Sequence, residues 1–226
     1  LVCYFFAAFI RFVREPIHDN VPLYDALRAG TRSLLNTIRN IREYRQIAWF
    51  LFARLLYVDG MNTMFVFGGI YAAGTFGMGI GEVMEFGVTL NVCAGLGAIG
   101  FAWLDDKLGA RNIVLLALSG LVALGIPLLI IESKVWFWII GLLLGLFMGP
   151  AQSASRSLMV HLAPANLQTE MFGLYALSGK ATAFLGPLIL GFVTLASGSQ
   201  RIGMVTVLVL IAGGLVVVLW KVRLSE

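Results

Sequence analysis

From residue 47 onward the chain is a succession of long apolar runs separated by very short polar connections. By hydropathy and length the runs cover 47–73, 83–104, 112–131, 135–159, 171–196 and 202–220. Each is about as long as, or longer than, the ~20 residues an α-helix needs to cross ~30 Å of hydrocarbon at ~1.5 Å per residue. Stretches such as 113–118 and 205–211 are apolar at every position. A barrel strand would alternate apolar and polar residues, so helices are expected. The connections 105–111 and 132–134 are short enough to force antiparallel neighbours.

The pattern in front of these runs is different. Residues 1–10 are apolar without the charged start or small-residue cleavage site of a signal peptide, and read as the end of a helix that began upstream. A polar stretch follows, with Pro16 and Pro22 marking an irregular start. Within it Leu27, Leu34, Ile38 and Ile41 share one side at helical spacing, and Arg28, Arg32 and Arg39 lie on an adjacent side. This predicts a basic amphipathic helix, either lying along a membrane face near anionic headgroups or serving as a solvated linker. The expected organisation is the end of a transmembrane helix at 1–13, a cytoplasmic amphipathic linker at 14–46, a six-helix transmembrane domain at 47–220 and a cytoplasmic tail at 221–226.

Composition agrees. Of 226 residues, 59% are apolar and 12% charged, whereas soluble domains average about 45–50% and 25%. A cytosolic globular protein is excluded. The net charge of +4 and pI of about 9.3 would raise the question of nucleic acid in a soluble chain. Here residues 11–54 hold eight of the sixteen basic residues against four acids, and the remaining chain is balanced. The excess is therefore a topology signal, with no nucleic-acid partner expected. Placing 14–46 inside puts eleven Lys and Arg residues on the cytoplasmic side and only Lys134 and Arg201 outside.

Residues that do not belong in lipid carry the candidate chemistry. An ionisable group at the bilayer centre costs about 2.5–3.5 kcal/mol on insertion scales, and survives when paired or turned to a polar cavity. Asp59 and Lys180 both fall well inside their spans and form a hypothetical pair. Asn62 lies one turn beyond Asp59, and Asn91 adds an amide at a compatible depth. Arg54 is shallower, suited either to snorkelling or to a site. Gln152 and Arg156 share a helix face at spacing four, with Arg156 favoured as an anchor. Glu82 and Glu85 suit an outer helix N-terminus. Gly141, Gly145 and Gly149 form a small-residue ridge read as a packing device. Pro150 and the pair Gly186-Pro187 interrupt spans, as gating points or as packing features. Cys3 and Cys93 read as buried small hydrophobes, and no metal set accompanies them. His18 and His161 stand in loops without a nucleophile or acid at a diagnostic spacing. No enzyme and no cofactor are expected.

The loop around 104–111 resembles the signature between paired helices of the major facilitator superfamily. Ala102, Asp106, Lys107, Gly109 and Arg111 occupy its small, acidic, basic, glycine and basic positions, with Ala110 replacing one basic residue. The strings 53–62, 67–74, 149–157 and 172–187 are similar to those of the vacuole-effluxer-like, or unknown major facilitator, branch. The resemblance implies the C-terminal half of a twelve-helix fold, in a secondary transporter that works by alternating access. It implies a missing N-terminal half as partner and a small polar solute, with amino acids among the candidates and a proton as a coupling ion. Asp106, Lys107, Gly109 and Arg111 would then form a conformational loop. The expected location is a bacterial inner membrane, with linker and C-terminus cytoplasmic. A transport-inactive scaffold or sensor on the same fold is the alternative.

Overall fold

A computed structural model describes residues 44–165 and 167–222. The amphipathic helix with Arg28, Arg32 and Arg39, the run 1–13, Cys3 and His18 lie outside the described residues. The described residues form seven helices: α1 (Arg45–Phe76), α2 (Ile80–Leu108), α3 (Ala110–Ile130), α4 (Lys134–Leu162), α5 (Gln168–Ser178), α6 (Leu185–Ser197) and α7 (Gln200–Lys221). α1, α2, α3, α4 and α7 are each long and apolar enough to cross a membrane. Much of the outer surface is apolar, with Ile80, Leu195 and Phe192 more than two-thirds exposed. A hydrocarbon solvent supplies no hydrogen bonds to backbone, so a helical path is the one that satisfies it internally. This is a multi-pass integral membrane protein.

The predicted fifth span does not form one helix. It divides into α5, of 11 residues, and α6, of 13, separated by a turn at 179–184. Pro187 favours a helix start here, since in a continuous helix its nitrogen could not donate to the carbonyl of Ala183 and its ring would press on that carbonyl. Three residues into α6, the same proline is tolerated because first-turn N–H groups have no helical partner. Pro150, by contrast, lies inside α4, which continues through it as a helix.

α1 packs most extensively on α7 and α2 on α4, while α3 contacts both α4 and α7. The glycine ridge explains the closeness of α2 and α4. A Cβ on Gly141 would collide with the Phe86 ring, one on Gly145 would stand 2.9 Å from the Leu90 carbonyl oxygen, and one on Gly149 would run into the Ala94 carbonyl. Gly97 answers from α2, its Cα facing the Leu146 carbonyl. Backbone thus meets backbone, the geometry that small-residue ridges permit.

Helix ends are tied across the bundle. Arg111, at the start of α3, donates from Nε to the Val222 carbonyl at 2.6 Å and from Nη2 to the Leu219 carbonyl at 3.0 Å. Arg201, at the start of α7, donates to the Ile131 carbonyl beyond the end of α3 at 3.1 Å. Each helix lends a cation to the carbonyl-rich end of the other, where the helix dipole favours positive charge.

Candidate functional site

The break between α5 and α6 leaves two helix ends inside the bundle, the carbonyls of one and the N–H groups of the other. α1 supplies a side chain of the fitting charge to each. Arg54 Nη1 donates to the Tyr175 carbonyl at 2.5 Å and to Ser178 Oγ at 2.8 Å, near the C-terminus of α5. Its guanidinium carbon sits 3.5 Å from the Tyr175 ring centroid, a stacking that lysine could not reproduce. Five residues further along α1, Asp59 Oδ2 accepts the Gly186 N–H at 2.7 Å, in the first turn of α6. Cation at the carboxyl end and anion at the amino end match the two half-helix dipoles.

Both anchors are closely fitted. Asp59 is 4% exposed, and its Oδ1 is buried without a hydrogen-bond partner. Thr63, one turn on, donates its hydroxyl to the Asp59 carbonyl at 2.7 Å. A Cβ on Gly186 would overlap the Thr63 hydroxyl and come 3.2 Å from Asp59 Oδ2, so only glycine lets the α6 terminus approach this closely. A Cβ on Gly179 would come 2.8 Å from Arg54 Nη1. Between the two charges, the Tyr57 hydroxyl bonds Ser155 Oγ at 2.6 Å in a buried contact with α4. Ser155 in turn donates to the Ala151 carbonyl.

The hypothetical Asp59–Lys180 pair does not form. Lys180 lies in the 179–184 turn and is exposed, Asp59 is buried against Gly186, and no salt bridge joins them. The reason is the break itself, because an unpaired helix N-terminus offers the carboxylate a backbone donor at closer range than the flexible ammonium. Arg54 likewise does not snorkel; it is half-buried, with its guanidinium on the Tyr175 ring. Tyr57, Thr63, Ser155, Tyr175 and Ser178 belong to the arrangement although sequence reasoning gave them no role, and Gly186, read only as part of a span interruption, proves to be the donor to Asp59. The legible signals were Gly186 beside Pro187 and Thr63 at spacing four from Asp59.

The remaining polar candidates are exposed on three helices. Asn62 is exposed on α1, Gln152 and Arg156 on α4, and Asn91 on α2, where its Nδ2 donates to the Gly87 carbonyl at 2.9 Å. At the far end of α2, Glu82 accepts the Gly79 N–H at 3.2 Å, as an N-terminal carboxylate should, and pairs with Lys134 at 2.5 Å. Glu85 is exposed one turn away. In the loop motif, Gly109 takes φ +82° and closes α2 onto α3, Lys107 stands 3.6 Å over the Trp103 ring and Asp106 is exposed.

Comparison with known proteins agrees with this architecture. The model of a family described as "Vacuole effluxer Atg22 like" matches residues 2–225. The chain is 24% identical over 186 residues to the uncharacterized MFS-type transporter YxiO of Bacillus subtilis (strain 168), covering 82% of this chain and 43% of that protein. It is 26% identical over 185 residues to Autophagy-related protein 22 of Coccidioides immitis (strain RS), covering 75% of this chain and 30% of the relative. The chain thus spans less than half the length of these relatives. Among solved structures, the E. coli fucose:proton symporter FucP superposes with a TM-score of 0.75 at 15% identity, over 98% of this chain and 53% of that one. At that identity the likeness shows the fold.

Proposed function

The chain belongs to the vacuole effluxer Atg22 like family, and from that premise we propose that it is one half of a secondary active transporter that moves a small polar solute by alternating access. The observation that carries this reading is the exposure of Asn62, Asn91, Gln152 and Lys180 on or between apolar membrane helices. Amides and ammonium groups facing hydrocarbon are costly. A face that keeps them is turned to water, to solute, or to further helices of a longer protein. The partner is then the N-terminal half, and the solute site lies between the halves near mid-membrane, as in transporters built from repeated bundles. Amino acids are the first solutes to try. The buried Asp59 carboxylate, with one oxygen unpartnered, is the group to test for carrying a coupling proton. Lipids contact the apolar outer surface. The distribution of Lys and Arg supports an inner-membrane orientation with 14–46 and 221–226 cytoplasmic.

The alternative, a transport-inactive scaffold or sensor, calls for Asp59, Asn62 and Lys180 in one dry and fully paired cluster. Asn62 and Lys180 are exposed, which supports the transport reading instead. The test is uptake by the full-length protein in proteoliposomes across a solute panel. Asn62→Cys should react with a membrane-impermeant maleimide in at least one state. Absence of uptake for every solute, together with an unreactive Asn62→Cys, would refute the proposal. Equal uptake by Asp59→Asn and the parent across a pH series would remove the proton role alone.

A further inference from the structure

The turn between α5 and α6 carries an ammonium group at membrane depth with no opposite charge to answer it. Lys180 lies between Ser178, which Arg54 holds, and Gly186, which Asp59 holds. On α1 those two anchors stand about 7–8 Å apart by helix rise, and Asp59 is within ~3 Å of the midpoint of the helix. A headgroup region ~15 Å from the bilayer centre is too far for the four-carbon stem of a lysine to reach. Helix carbonyls do not answer the charge either, because Arg54 already occupies the carboxyl end of α5 at the Tyr175 oxygen. Lys180 is exposed, and the one salt bridge among the described residues joins Glu82 and Lys134 instead.

A second cation stands near the same level. Arg156 follows Ser155, whose hydroxyl meets Tyr57 between the two anchors, and it too is exposed and without a salt bridge among the described residues. α4 and α5 pack on α1 and on each other. Around this stretch of α1 three cations, Arg54, Arg156 and Lys180, therefore stand against one carboxylate, and that carboxylate is buried on Gly186. An excess of positive charge at membrane depth persists where an anion balances it. We propose that the solute is a small carboxylate without an ammonium group, a net anion held by Lys180, with Arg156 adding to the field. Leu177 and Phe184, on either side of Lys180, are more than half exposed and suit an apolar body behind the carboxylate. A zwitterion would bring a cation for which this level offers only the buried Asp59. The inference rests on the transport reading and deepens it by naming the charge of the solute. A charge-assisted hydrogen bond should favour the anion by about tenfold or more.

Three probes of one shape separate the charges: leucine, a zwitterion; its keto acid, an anion; and the methyl ketone in which a methyl group replaces the carboxylate of that keto acid, which is neutral. The full-length protein carries Ala181→Cys, at an exposed position beside Lys180, in a background where its other cysteines are serine. Its alkylation by N-ethylmaleimide is followed in proteoliposomes. The keto acid should protect the cysteine at a concentration about tenfold or more below that needed of leucine or the ketone. Lys180→Gln, added to this background, should abolish the preference for the keto acid, and Lys180→Arg, which keeps the charge, should retain it. Uptake should follow the same order. Equal protection by the three probes, protection by none, stronger protection by leucine, or a preference unchanged in Lys180→Gln would each overturn the inference. A cysteine unreactive in every state, because the other half covers the turn, would do the same. Failure of uptake for every solute would sink the transport reading alone, and protection would still decide whether Lys180 takes an anion.

Discussion

Replacing Asp59 tests whether the broken span is held by a charge on α1. In Asp59→Ala the Gly186 N–H loses its acceptor, which sits at 2.7 Å. Leaving a buried donor unsatisfied costs about 1–3 kcal/mol. Removing a carboxylate from a helix N-terminus adds about 0.3–2 kcal/mol. Together these give roughly 2–4 kcal/mol of local opening free energy, or a ~30- to 1,000-fold faster exchange of the amides concerned. Asp59→Asn keeps an oxygen that can accept from Gly186 and loses the charge, so its effect should stay below about 30-fold. The assay is amide hydrogen exchange on the full-length protein in micelles, reading Gly186 and Leu188, since Pro187 has no N–H. Val209 in mid-α7 should exchange at its original rate in both variants. If Gly186 exchanges no faster in Asp59→Ala, or if Asn and Ala accelerate it equally, the carboxylate does not hold the α6 terminus by its charge.

The other expectations concern the same logic at other helix ends. Arg54→Met removes two charge-assisted hydrogen bonds at the end of α5 and should cost ~1.5–3 kcal/mol by thermal unfolding in micelles, with Arg54→Lys recovering less than half because it cannot stack on Tyr175. Gly149→Val should lower stability by ~1–3 kcal/mol or more, since its Cβ would enter the Ala94 carbonyl, whereas Gly87→Ala should be neutral or favourable by up to about 1 kcal/mol. Arg111→Ala and Arg201→Ala act at opposite ends of α3, about 30 Å apart by helix rise. Their costs, about 1–3 kcal/mol each, should add to within ~0.5 kcal/mol in the double variant.

The sequence by itself determined the membrane class and most of the helix boundaries, and it placed the glycine ridge as a packing surface. Those properties are carried along one helix at a time, because an apolar run of given length suits a bilayer of given thickness whatever its neighbours are. Gly145 and Gly149 could be read as a point of close approach because spacing four places them on one side of α4, although the chain gave no hint that Ala94 would stand opposite. The Gly186-Pro187 pair marked a disturbance, but a prolonged apolar composition concealed that the span would divide into α5 and α6.

Only the tertiary structure decided what the charges do. Depth in the bilayer showed that Asp59 and Arg54 need partners, and pairing by opposite side-chain charge then pointed to Lys180. The partners are backbone groups instead, the Gly186 N–H and the Tyr175 carbonyl, which became free when the helix broke. A hydrogen bond depends on distance and direction between elements far apart in sequence, and hydropathy contains neither. Asn62 and Asn91 show the converse case. Their place within apolar spans was legible, while their exposure depends on which faces of α1 and α2 the neighbouring helices α7 and α4 cover, and only packing decides that.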